Sequence, residues 1–229
     1  VSNSIATEFE AIFFDMDGTL INSEPQWMLA ETELMAEYGH AWTIEDQRYC
    51  LGGPLTKVGI YMSKLAGSVE SPEFFHEELV RRTIRAFEQE IEYMPGAFEL
   101  LMESIEAGIA VGLVTASPAP MMRATLSRFP EGLFNVTISG DDVALTKPSP
   151  ECYILAAKTL GVNIANCIIL EDSITGVAAA SASGAFVIAI PHLVTIEESP
   201  RLKVLQTLDG INVERLKSIY RSIDRAELV

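Results

Sequence analysis

A chain of 229 residues, 48% hydrophobic and 21% charged, is long enough to bury a core and has the composition of a folded globular protein. Its 32 acidic against 16 basic residues give a net charge of −16, which argues against attachment to nucleic acid or to an anionic membrane surface, since both need basic stripes. The longest apolar runs reach only strand length, so no membrane span is expected.

In chain order, the first predicted strand is the apolar run Ala11 to Phe14. It delivers Asp15 and Asp17 to the point where Gly18 breaks the strand. Residues i and i+2 of a strand lie on one side, so the two carboxylates can converge on one ligand. Read alone, Asp-Gly is equally at home in an Asx-turn. From Glu24 to about Glu92 the pattern is helical throughout, in segments Glu24–Tyr38, Leu55–Leu65 and Pro72–Glu92. Ala97–Glu106 then reads as a helix, and short apolar strands follow at Ala110–Thr115, Val136–Ser139, Cys167–Leu170 and Phe186–Ile190. Helix-length segments separate these strands at Pro120–Phe129, Pro150–Leu160 and Ile174–Ser183, and the tail from Ser199 reads as helical. Near-continuously apolar strands alternating with helices predict a doubly wound, Rossmann-like α/β sheet, mostly parallel and covered on both faces. The core is expected from residues 1–22 and 94–229, with an all-α domain, 23–93, inserted after the first strand.

Three further clusters fall at predicted strand ends, where ligands of such sheets bind. Thr115-Ala116-Ser117 offers hydroxyls and free peptide N–H groups before a helix. Lys147, just before Pro148, offers an ammonium for a phosphate oxygen. Glu171 and Asp172 end the fourth apolar strand, and Asp172 or Ser173 could instead cap the next helix. Each cluster alone has an ordinary reading as a turn, a solvated loop or a cap. Jointly, carboxylates that would repel one another without a cation, hard oxygen donors suited to Mg²⁺ and a lysine describe a phosphoryl-transfer site.

DMDGTL, VTAS, KP and LEDS, in this order, resemble the four motifs of the haloacid dehalogenase-like superfamily, and the helical insertion resembles its C1 cap. DMDGTLINSEPQW with LEDSITGVAAASASGA is similar to the β-phosphoglucomutase-like branch, rich in sugar-phosphate phosphatases. The resemblance implies that Asp15 is the nucleophile and a Mg²⁺ ligand. Asp17 would be the general acid and base, binding Mg²⁺ through its carbonyl. Asp172 would be a direct ligand with Glu171 behind it. Thr115, the Ala116 N–H and Lys147 would hold the phosphoryl oxygens. Glu24, Trp27, Gly52 and Gly53, with Ser117 on the core side, would select the substrate, and Arg81 and Arg82 are further candidates. Trp27 at helical spacing and the two arginines also read as ordinary core and solvated-face residues. The mutase's cap histidine is replaced by Trp27, and its cap arginine is missing from Leu51-Gly52-Gly53-Pro54-Leu55. Both departures favour a phosphatase over the alternatives, a mutase or a non-catalytic phosphate-binding module.

The expected partner is therefore a small phosphorylated metabolite, with neither nucleic acid nor membrane involved, and the expected assembly is a monomer or at most a weak homodimer. Val1 to Glu10 lacks the basic and apolar regions of a secretory leader. Cys50, Cys152 and Cys167, far apart and without C-x-x-C, read as buried thiols in a reducing cytoplasm. His40, His76 and His192 share no metal-like spacing and receive no role.

Overall fold

The computed structural model describes residues 8–50, 55–192 and 194–224. They form two compact units. One holds the described residues up to Asn22, together with Glu92–Met122 and those from Pro130 on; the other holds Ser23–Ile91 with Arg123–Phe129.

The strands in chain order are β1 (Ala11–Phe14), β2 (Ile21–Asn22), β3 (Glu92–Tyr93), β4 (Ala110–Val114), β5 (Val136–Ile138), β6 (Cys167–Glu171), β7 (Phe186–Ala189) and β8 (Leu202–Val204). The helices are α1 (Glu24–Ala36), α2 (Ile44–Cys50), α3 (Leu55–Leu65), α4 (Pro72–Gln89), α5 (Ala97–Glu106), α6 (Ala119–Leu126), α7 (Glu151–Leu160), α8 (Ile174–Ser183) and α9 (Val213–Asp224).

Six strands form one sheet in the order β5-β4-β1-β6-β7-β8, and every pairing in it is parallel. All four residues of β1 are buried, as a central strand covered on both faces requires. The core on one side joins Phe13, Val136, Tyr153, Ile169, Val177 and Val187. β1 lies between β4 and β6 with Phe14 opposite both Leu113 and Leu170. Residues just beyond the three strands therefore emerge at one edge and one level. β2 and β3 pair antiparallel where the chain leaves and rejoins this unit.

The second unit is helical. α1, α2, α3 and α4 surround a core that includes Leu34, Met35, Trp42, Met62, Phe75 and Leu79. Ser71 caps α4, accepting from the Phe74 N–H at 3.1 Å, with Pro72 in the first turn, where no N–H is needed.

Besides the short pair β2 and β3, which the sequence reading lacked, two elements differ from it. The tail is not helical throughout: Leu202–Val204 adds β8 beside β7 before α9 begins. Three residues are too few for periodicity to register, and their pairing is set by the neighbouring strand. The helix α2 also went unread, although Thr43-x-x-Asp46 carried its signal. The Thr43 N–H donates to Asp46 Oδ2 at 2.8 Å and the Asp46 N–H to Thr43 Oγ1 at 3.2 Å, a reciprocal cap.

The three cysteines are free and buried. Among the described residues, no helix is long and apolar enough to cross a membrane.

Candidate active site

The register of β1 against its neighbours assembles the site. The Asp15 N–H donates to the Leu170 carbonyl at 3.1 Å, continuing the β1–β6 ladder by one residue and bringing Asp15 level with Glu171. The Thr115 N–H does the same with Ile138 at 2.9 Å, extending β4. One carboxylate oxygen from each of Asp15, Glu171 and Asp172 falls within 4.8 Å of the others.

Lys147 reaches into this group from the loop before α7, through a cis peptide bond to Pro148. Its Nζ donates to Asp15 Oδ1 at 2.5 Å, to Glu171 Oε1 at 2.7 Å and to the Val114 carbonyl at 2.9 Å, so all three ammonium hydrogens have acceptors. Burial opposes its charge, but the adjoining carboxylates of Asp15 and Glu171 outweigh that and hold the ammonium above its ordinary range.

The acids respond in the opposite sense. Burial, reinforced by Glu171, raises the Asp15 carboxyl well above its ordinary value, with Lys147 pulling against it. Burial, then Glu171 and Asp17, push Asp172 up to about 7. Four carboxylates and one ammonium thus share a low-dielectric pocket that is short of positive charge. Hard oxygen donors in that electrostatic condition fit a divalent cation such as Mg²⁺.

Asp17 faces a different set of groups. Its Oδ2 accepts from Ser117 Oγ at 2.7 Å and lies 3.5 Å from Thr115 Oγ1. The Thr115 hydroxyl oxygen in turn accepts from the Ser117 N–H at 3.0 Å. Gly18, with φ at +79°, turns the chain directly after Asp17, and a Cβ there would collide with Asp172 Oδ2. A Cβ on Gly176 would likewise overlap the Glu171 carboxylate. Both positions let backbone approach the acids where any side chain would displace them.

The structure therefore brings Asp15, Asp17, Thr115, Ser117, Lys147, Glu171 and Asp172 to one sheet edge, with Ala116 in the turn between Thr115 and Ser117. Ser173, not Asp172, caps α8, its hydroxyl accepting from the Gly176 N–H at 3.0 Å. Glu24 and Trp27 lie on α1 of the helical unit. Glu24 accepts from Gln47 Nε2 at 3.3 Å, and Trp27 packs partly buried against that unit's core. Arg81 pairs with Glu78, and Arg82 with both Glu78 and Glu37. Gly52 and Gly53 lie outside the described residues.

Tyr153 is a member of the site that sequence reasoning missed. Fully buried on α7, it donates its hydroxyl to Glu171 Oε1 at 2.7 Å, and its ring centroid lies 4.9 Å from the Lys147 ammonium. Its only sequence signal is a place on the buried face of α7. His192 is the second: its Nε2 lies 3.0 Å from the Gly18 carbonyl.

A carboxylate on the central strand, a second two residues on, a hydroxyl, a lysine and a distant acid pair define a hydrolase of phosphoryl-transfer type. The profile of the haloacid dehalogenase-like hydrolases matches residues 12–190, and the chain belongs to that family of enzymes, among its phosphatases. It is 32% identical over 184 residues to hexitol phosphatase B of Escherichia coli, covering 79% of this chain and 83% of that one. It is 31% identical over 176 residues to the phosphorylated carbohydrates phosphatase of Thermotoga maritima, covering 76% and 82%. Among solved structures, CbbY of Rhodobacter sphaeroides in complex with phosphate superposes with a TM-score of 0.73 at 28% identity, over 87% of this chain and 95% of that one.

Proposed function

We propose that this chain is a Mg²⁺-dependent phosphomonoester hydrolase that acts on a small sugar or polyol phosphate through an aspartyl-phosphate on Asp15. The supporting observation is the division of the two loop acids. Asp15 sits among the charged groups on Lys147, while Asp17 sits with the hydroxyls of Ser117 and Thr115. The hexitol and carbohydrate phosphatases among its relatives support the substrate class.

In the first step a carboxylate oxygen of Asp15 attacks phosphorus, and the bond to the ester oxygen breaks. Protonated Asp17 gives its proton to the departing alkoxide. In the second step Asp17, now ionised, takes a proton from water, whose oxygen attacks the aspartyl-phosphate. Inorganic phosphate leaves and Asp15 is restored. Lys147, the Thr115 hydroxyl and the Ala116 N–H hold the phosphoryl oxygens. Asp15, the Asp17 carbonyl and Asp172, with Glu171 behind them, would hold Mg²⁺, whose chemistry is to neutralise phosphoryl charge. Choice among esters falls to Ser117 and, in the helical unit, to Glu24, Trp27, Gly52 and Gly53.

The test is phosphate release from sorbitol 6-phosphate, hexose 6-phosphates, a pentose phosphate and phosphoglycolate, with Mg²⁺ and with chelator. Release is expected with Mg²⁺ only, and Asp15→Asn should lower it by at least about 10³-fold. Substantial turnover by that variant would overturn the nucleophile assignment. Conversion of a sugar 1-phosphate to the 6-phosphate without free phosphate would make the enzyme a mutase instead.

A further inference from the structure

The loop that carries Asp17 is held from outside the charged cluster by a residue the chemistry above does not use. The Ile190 N–H donates to the Glu171 carbonyl at 2.7 Å, which brings the turn after β7 alongside the acids. Pro191 directs the next residue, His192, over the Asp17–Gly18 turn. There His192 Nε2 meets the Gly18 carbonyl oxygen at 3.0 Å. A carbonyl only accepts, so Nε2 carries the proton and donates it.

Gly18 is consequently held on three sides. Its N–H donates to the Ile21 carbonyl at 2.8 Å, its Cα face abuts Asp172 Oδ2, and its carbonyl is bound by His192. Beyond Thr19 the loop borders a cavity of about 290 Å³, lined by Met94, Pro95, Gln206 and Leu208 among others. Thr19 itself is buried, and backbone hydrogen bonds tie the following residues: the Leu20 and Ile21 N–H groups donate to the Met16 carbonyl and the Met94 N–H to the Leu20 carbonyl, each at 3.0 Å. None of these reaches the Gly18 carbonyl, where His192 supplies a side-chain hydrogen bond.

We propose that His192 is a positioning residue: its Nε2–H fixes the Gly18–Thr19 peptide and thereby aims the neighbouring Asp17 carboxyl at the leaving-group oxygen. This rests on the role given to Asp17 above. A loop free to rock by a fraction of an ångström still presents Asp15 from the strand, but delivers the proton of Asp17 less often to its target.

Leaving groups separate this from a general structural role. An alkoxide needs a proton to depart, whereas p-nitrophenolate leaves without one, and kcat/KM reports every step up to that departure. His192 is exposed, so its replacement leaves the core undisturbed. In His192→Phe, kcat/KM for sorbitol 6-phosphate, or for the best alkyl ester of the screen above, should fall roughly tenfold, against less than about threefold for p-nitrophenyl phosphate. His192→Gln, which keeps an N–H donor, should restore most of the loss, with Tm alike in all three proteins. Equal losses on the two esters, no loss on either, or a Gln variant as impaired as Phe would overturn the proposal. A wild-type protein that hydrolyses neither ester overturns the phosphatase reading itself.

Discussion

Asp15 and Asp17 were legible as acids just beyond an apolar strand, but alternation does not place them: β1 ends at Phe14, and Asp15 meets Lys147 while Asp17 turns to Ser117. Tyr153 was not legible, because nothing local distinguishes a tyrosine that meets a carboxylate from one that fills a core. Tyr153→Phe removes one donor from Glu171 Oε1 and leaves Lys147 on the same oxygen. We expect a loss of about 1.5–3 kcal/mol in denaturant unfolding, the cost of one hydrogen bond to a charged acceptor, with turnover largely kept. Glu31 in the helical unit is another buried polar group that pattern reading passed over. It is 3% exposed, and its Oε2 has no hydrogen-bond partner among the described residues. Burial, then Glu24, pushes its carboxyl from 4.5 up to about 8. A folded-state value above the unfolded one means stability that is complete below about 4.5 and is lost as pH rises through about 8. The Tm of the wild type should therefore fall between about pH 4.5 and 8, and Glu31→Gln, shaped like the neutral acid, should flatten that decline. Parallel curves for the two proteins would mean that Glu31 is not neutral in the fold.

At the scale of elements, the sheet strands β1, β4, β6 and β7 were readable because burial on both faces leaves a continuous apolar run in the sequence, and β5 because Val136 and Ile138 alternate with Thr137. The edge strand β8 carries no such mark, being short and half-exposed. Gly112 illustrates what strand reading cannot supply. A Cβ there would lie 2.7 Å from both Phe13 Cδ1 and Val136 Cγ1, so the absent side chain lets β1 and β5 close upon β4. Gly112→Ala should cost about 1–3 kcal/mol through overpacking. It should lower Tm by roughly 3–10 °C in a thermal melt. An unchanged melt would show that Phe13 repacks freely.

For the whole molecule, the acid cluster ties stability to protons and, on the proposed function, to a bound cation. Asp172 stands at about 7 in the fold against 3.8 ordinarily, so its contribution is present below the lower value and lost as pH rises through the upper. A bound cation needs the ionised form, so its stabilisation grows across the same window. Added Mg²⁺ should raise Tm clearly at about pH 8 and little at about pH 5.5, as a melt with and without chelator would measure. A shift of equal size at both would remove Asp172 from the ligand set. The sequence by itself determined the α/β class, because it is written in local periodicity, and it pointed to the helical insertion and to the acids, hydroxyl and loop lysine that the structure gathers at one sheet edge. Only the tertiary structure decided which groups Lys147 neutralises, that Tyr153 stands behind Glu171, and that His192 meets Gly18. Those contacts join residues distant along the chain, and they depend on the level at which parallel strands stop, which no local stretch of sequence records.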